Sequence, residues 1–121
     1  MEITIFGVFS STVDIEYALF DLKSTGYATK LISVILPNNS IMSFDDNYIH
    51  QLHLTLKSFG LSHDDARIFE KQILDGKIVV VIPPGHTNIE IIQAILDENG
   101  VDQVFAATTN RLYGNGKVYL S

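Results

Sequence analysis

The chain has 121 residues, of which 46% are hydrophobic and 18% charged, and it contains no cysteine. This length fits one domain with one core, and the composition excludes disulfide scaffolds and cysteine-based zinc or redox sites. A formal net charge of -6 repels polyanions, so nucleic-acid binding is not expected. No apolar run reaches the length of a membrane span and no signal-peptide pattern opens the chain, which favours a cytoplasmic protein.

The first part of the chain is predicted to form a strand, a helix and a second strand. "MEITIFGVF" alternates as a strand does, and Ser11 with Asp14 has the spacing of a capping box. The pattern predicts a helix over about 12–25, ended by Gly26. "KLISVIL" is rich in β-branched residues and stops at Pro37, which predicts the second strand.

The same order returns near the C-terminus. "KIVVVI" ends at Pro83, Thr87 and Glu90 have capping-box spacing, and a helix runs to Gly100 before "VDQVFAAT". Setting Gly26 on Gly100 aligns the two halves. Two βαβ units repeated once predict an α+β fold, a ferredoxin-like sandwich with an antiparallel sheet.

Between the repeats the sequence predicts a helical hairpin. Two apolar stripes at helical spacing end at glycines: Ile49, Leu52, Leu56 and Phe59 form one, and Ala66, Phe69, Ile73 and Leu74 the other. The single domain, 1–121, therefore divides into a βαβ repeat at 2–36, a helical-hairpin insertion at 45–75, a βαβ repeat at 77–109 and a C-terminal hairpin or tail at 110–121. The tail is predicted to pair at a sheet edge, in this chain or in a partner.

The predicted strands are apolar on both faces of the sheet. Runs such as "IVVVI" show little polar alternation. The two repeat helices can cover only one face, so the other must be closed by the inserted helices, by a second subunit or by a ligand.

The stretch "SHDD" has two interpretations. His63 with Asp64 or Asp65 would suit a metal ion, but adjacent helical residues point in different directions. Ser62 as an N-cap, with two carboxylates in the first turn, explains the same residues as a helix start. We favour the cap.

Other candidate sites rest on single features. His50 and His53 stand three apart on a predicted helix and are the candidates for a metal, although no metal site and no cofactor is expected. "PPGHTN", with Gly85 and His86, has the form of an anion-binding turn, but we favour a plain strand-to-helix turn, because a P-loop lysine and a full glycine pattern are missing. No nucleophile motif is present, so no catalytic residue is predicted.

The sequence also resembles a known family. "GLSHDDARIFEKQILDGKIVVVI", together with "FGVFSSTVDIEYALFDLKSTGY" and "LISVIL", is similar to the bacterial heat-induced, general-stress protein family, YflT-like. The resemblance covers most of residues 2–109. It implies a stress-associated protein and brings no catalytic residues with it.

Three functions are compatible with the sequence. The first is a non-catalytic, stress-associated protein that self-associates through its sheet as a homodimer or larger. The second is a regulatory domain of ACT-like architecture, with a small-molecule ligand near the turns at Gly7 to Phe9 and Pro83 to His86, where Gly7, Phe9, Gly85 and His86 are the candidate contacts. The third is a ferredoxin-like dimeric enzyme with His86 or His53 as a base.

Overall fold

The computed structural model describes residues 3–37, 46–85, 88–108, 111–114 and 117–120. Its elements follow in the order β1 (Thr4–Phe9), α1 (Thr12–Ser24), a 3-10 turn (Thr29–Leu31), β2 (Ser33–Ile35), α2 (Asp46–Lys57), α3 (His63–Leu74), β3 (Ile78–Ile82), α4 (Ile89–Glu98), β4 (Gln103–Ala107), β5 (Arg111–Gly114) and β6 (Lys117–Leu120). The predicted α+β class is confirmed. None of the helices in these ranges is long and apolar enough to cross a bilayer.

Within the described residues, six strands form one sheet in the order β2-β3-β1-β4-β5-β6. Every neighbouring pair is antiparallel. The first strand is central: Ile5 lies opposite Ile82 of β3, and Thr4 lies opposite Ala107 of β4. β5 pairs with β4 and β6 with β5, so the C-terminal strands extend the sheet of their own chain, and β2 and β6 are its edges.

The first face of the sheet is covered by α1 and α4. Alternate residues of the central strands point into this layer, where they meet the apolar stripes of the two helices. The buried members of this core are Ile5, Phe9, Ile15, Ala18, Leu22, Tyr27, Ile78, Val80, Ile82, Ile92, Ile95, Leu96 and Val104.

The second face is covered by α2 and α3 of the same chain. Its core comprises Phe6, Val8, Leu52, Leu56, Leu61, Ala66, Phe69, Ile73, Val79, Val81, Phe105, Ala107 and Leu112. Phe69 of α3 stacks on Phe6 of β1 with ring centroids 4.8 Å apart, and meets Phe105 of β4 edge-on at 5.0 Å. The described core therefore explains the doubly apolar strands: the helices between β2 and β3 close the face that could instead have met a second subunit or a ligand.

Side-chain caps begin α1, α3 and α4, with one difference from the prediction. Ser62 Oγ accepts a hydrogen bond from the Asp65 backbone N–H (3.1 Å), as the helix-start interpretation of "SHDD" expects. At α4 the cap is Asn88, whose Oδ1 accepts from the Glu90 N–H (2.8 Å). The predicted cap Thr87 is therefore wrong by one residue, because the amide of Asn88 closes the first turn itself; Thr87 lies outside the described residues.

Helices end at glycines, as predicted. Gly26, Gly60, Gly76 and Gly100 all have positive φ. Gly100 has a second constraint, because a Cβ added there would lie 2.9 Å from Asp14 Oδ2 on α1. The turn before β4 therefore sits directly against the first turn of α1.

The second strand is shorter than the sequence predicts. The pattern predicts a strand over all of "KLISVIL", but β2 contains only Ser33–Ile35. The Leu31 N–H instead donates to the Ala28 carbonyl (3.0 Å), which closes a 3-10 turn before the strand. An edge strand has a partner on one side only, so a local turn can take over its backbone hydrogen bonds at little cost.

Candidate functional site

The polar constellation most suited to chemistry joins α2 to α3 and consists of Glu70, His53 and His63, which we call the histidine chain. His53 Nδ1 contacts Glu70 Oε2, and His53 Nε2 lies 3.0 Å from His63 Nδ1. The helices place these groups: Ser62 caps α3 so that His63 is its first residue, and Glu70 lies two turns further along α3, facing α2.

The hydrogen bonds of the histidine chain restrict its tautomers. An ionised carboxylate only accepts, so His53 carries its proton on Nδ1 and donates it to Glu70. When His53 is neutral, its Nε2 holds a lone pair that accepts from the Nδ1–H of His63. A buried carboxylate thus fixes the orientation of one imidazole, which in turn binds a second.

Burial decreases along the histidine chain, from Glu70 near the core to His63 at the surface. The side chains of Glu70 and His53 are 12% and 17% exposed, whereas His63 is exposed. The two imidazoles meet edge to face, with ring centroids 4.6 Å apart. The paired ring nitrogens therefore lie near solvent while the carboxylate behind them does not.

Glu70 also lines an open surface groove of ≈ 500 Å³. Its described walls all come from α3: Asp64, Arg67, Ile68, Glu70, Lys71 and Leu74. Acidic and basic side chains alternate along it, so it favours neither anions nor cations. An open groove of this kind lacks the water exclusion that acid-base catalysis on a small substrate usually needs.

A second polar cluster ties together three loops at one end of the sheet. Lys77 Nζ donates to Ser10 Oγ (2.6 Å) and to Asp102 Oδ2 (3.0 Å), and Ser10 Oγ also donates to Asp102. The Asp102 backbone N–H donates to the Val8 carbonyl (2.8 Å). An ammonium that donates to the serine cannot take its proton, so this is an anchoring cluster and not a Ser-Lys nucleophile.

The hydrogen bond from Ser10, followed by that from Lys77, holds the pKa of Asp102 below its usual value. A lowered folded-state pKa stabilises the fold at pH values above the unfolded-state pKa, and the stabilisation is lost as the pH falls through the folded-state pKa. Asp102→Asn should therefore lower the free energy of unfolding by less than about 1 kcal/mol near pH 7, since both charged partners are more than a third exposed.

The check on Asp102 is chemical denaturation from pH 7 down to pH 2. The difference in free energy of unfolding between wild type and Asp102→Asn should have its full size from about pH 5 upward and should disappear in strong acid. Asp97→Asn, at an exposed carboxyl on α4, is the matched control. The same pH dependence in both variants would contradict the assignment to Asp102.

Among the described residues, the structure does not bring the predicted ligand contacts Gly7 and Phe9 together with Gly85. Because β1 and β3 are antiparallel, the turn after Phe9 and the turn after Ile82 lie at opposite ends of the sheet. Phe9 is fully buried in the first-face core, and a Cβ on Gly7 would lie 3.1 Å from its ring. Gly7 and Phe9 therefore contribute to the packing of the first-face core.

Gly85 allows the ring of Tyr27 to lie close to the backbone of the turn after β3. A Cβ there would lie 3.2 Å from the ring of Tyr27, whose hydroxyl donates to the Pro83 carbonyl (2.8 Å). Burial raises the pKa of the Tyr27 phenol. The turn is thus pinned to the end of α1, and the neighbouring candidate His86 lies outside the described residues.

Of the two predicted metal candidates, His50 and His53, the structure describes the side chain of His53 only. His50 lies on α2, but its side chain is outside the described part of the structure, whereas His53 pairs with His63 and Glu70. Among the described side chains, no three of His, Asp or Glu converge to hold a metal ion. Sequence reasoning missed the contact between His53 and His63 because the "SHDD" pattern was fully explained by capping.

Searches of protein-family models, curated proteins and solved structures find no match to this chain.

Proposed function

We propose that this protein is a non-catalytic, stress-associated assembly module that self-associates through its sheet, by pairing the edge strand β2 with β2 of a second copy. The stress association rests on the resemblance to the YflT-like family. A cytoplasmic location belongs to the same proposal and is supported by the absence of cysteine in the sequence. The observation that carries self-association is the chemistry of the β2 edge.

The β2 edge is apolar and uncharged. Leu31, Val34 and Leu36 are 58%, 40% and 50% exposed, and no charged residue occurs in "LISVILP". Natural proteins usually protect an exposed edge with lysine or another charge. Here only the brevity of the strand and Pro37 limit pairing, so the edge is open to a strand of like sequence.

The faces of the central strands are not alternative contact surfaces. α1 and α4 cover one of them and α2 and α3 the other. Association through the sheet therefore has to use an edge, and β2 is the edge at which exposed apolar side chains are described.

A two-fold axis beside Val34 would make this contact self-complementary. Val34 is paired with Val80 and so points to the first face, whereas Ser33 and Ile35 point to the second. In an antiparallel β2 pair centred on Val34, the two copies of this residue would lie opposite each other on the same face. An isologous dimer with one continuous sheet would result.

The proposal also includes a ferredoxin-like sandwich in which the α2 and α3 pair is inserted between two βαβ halves. The strand order β2-β3-β1-β4, with α1 and α4 on one face, supports it. The β5 and β6 strands then extend the sheet beyond β4, on the edge opposite β2.

The test of association is sedimentation velocity at micromolar concentration. Wild type should sediment as a dimer and Val34→Lys as a monomer, because two ammonium groups would meet across the pair. Val34→Thr keeps the branched Cβ and should remain dimeric. Leu54→Lys, at an exposed leucine on the outer side of α2, controls for a general effect of added charge.

Thermal denaturation of each variant accompanies the sedimentation runs. Val34→Lys should change the free energy of unfolding of the monomer by no more than about 0.5 kcal/mol, since the position is on the surface. A wild-type protein that stays monomeric at micromolar concentration, or a Val34→Lys variant as dimeric as wild type, would contradict pairing through β2.

A further inference from the structure

The histidine chain places two imidazole nitrogens near solvent at a separation suited to a metal ion. His53 Nε2 and His63 Nδ1 are 3.0 Å apart. Metal-nitrogen bonds to histidine are about 2.0–2.1 Å long, so an ion bound to both atoms would have a nitrogen–metal–nitrogen angle of roughly 90–100°. This is the angle between neighbouring positions of a tetragonal or octahedral site.

Glu70 supplies the support that such sites need. A histidine that binds a metal through one nitrogen usually donates its other N–H to a carboxylate, which fixes the tautomer and makes the ligand more basic. Glu70 accepts from His53 Nδ1 in this way, and its side chain is largely buried. His53 therefore already presents its Nε2 lone pair outward, on the side of His63.

His63 can adapt to an ion without a change in net charge. Beside a neutral His53, its Nδ1 carries the proton of the contact between the two rings. Transfer to its Nε2 tautomer frees the Nδ1 lone pair for the metal. The ring is exposed, so this exchange can proceed through solvent.

We infer that His53 and His63 bind one divalent transition-metal ion, with Glu70 positioning His53 and water in the remaining coordination positions. Borderline nitrogen ligands in a tetragonal arrangement favour Cu²⁺ over Ni²⁺ and Zn²⁺. Because His53 and His63 are two ligands where structural metal sites have three or four, the ion should be exchangeable. The site is independent of β2 and of the proposed self-association.

The test is calorimetric titration of the full chain, stripped of metal by a chelator, with Cu²⁺ in a non-coordinating buffer. One ion per chain should bind, and the electron paramagnetic resonance spectrum should show coupling to two nitrogens. His63→Gln should lower the affinity at least tenfold. Glu70→Gln should lower it by roughly 10–100-fold, the usual effect of losing such a carboxylate.

Two further histidine variants serve as controls. His86→Gln, at a histidine that precedes α4 in the sequence, should bind Cu²⁺ as wild type does. Circular dichroism must show that His63→Gln is folded, which its exposed position favours. Equal affinity of folded His63→Gln and wild type would overturn the inference. So would a loss in His50→Gln without one in His63→Gln, which would assign the His50 and His53 pair instead.

Discussion

Phe69→Ala should lower the free energy of unfolding by about 3–5 kcal/mol. Phe69 is fully buried on α3 and contacts the rings of Phe6 and Phe105 on two neighbouring strands. Truncation removes the ring and leaves a cavity between α3 and the sheet, which the flanking aromatic rings cannot fill without leaving their rotamers. Urea denaturation followed by circular dichroism measures the loss.

Phe20→Ala is the matched control for this prediction. It makes the same chemical change on α1, where the ring is 69% exposed, and should alter stability by no more than about 0.5 kcal/mol. If Phe69→Ala costs no more than Phe20→Ala, then α3 does not pack on the second face as described.

His53→Leu should lower the free energy of unfolding by about 1–3 kcal/mol, because it leaves the Glu70 carboxylate without its partner. Leucine fills a similar volume, but Glu70 would lose its hydrogen-bond donor while remaining largely buried. A buried carboxylate without a partner is unfavourable whatever apolar contacts replace the imidazole. The measurement is again the free energy of unfolding from urea titration.

A double-mutant cycle separates this pairing from simple packing. Glu70→Met in the His53→Leu background removes the stranded carboxylate, so the double variant should be more stable than His53→Leu alone. Additive losses from the two substitutions would show that Glu70 and His53 are not energetically coupled.

Local sequence signals predicted most of the fold because they act through neighbouring residues. Glycines at four helix ends, the Ser62 cap and the apolar stripes of α2 and α3 each specify a short segment. The structure has the four glycines and the cap, and it buries most of the described members of the two stripes in the second-face core. The errors are equally local. Thr87 and Asn88 are adjacent and both are favourable N-cap residues, so the local pattern does not distinguish between them.

What the sequence could not specify depends on tertiary contact. The apolar strands required a cover on the second face, but the pattern is identical for a helix pair, a second subunit or a ligand. The contact between His53 and His63 depends on how α2 and α3 pack, and spacing along one helix suggested His50 as the partner instead. Antiparallel pairing likewise separates Phe9 from Pro83, although the repeat makes their turns equivalent.

The central place of β1 in the sheet has a kinetic consequence. Ile5 must pair with Ile82, and Thr4 with Ala107, so β1 is paired only after β3 and β4 have been synthesised. Pairings this distant along the chain fold slowly, and the unpaired apolar strand is exposed to aggregation in the meantime. A nascent or heat-unfolded chain of this protein is therefore expected to depend on chaperones until β4 joins the sheet.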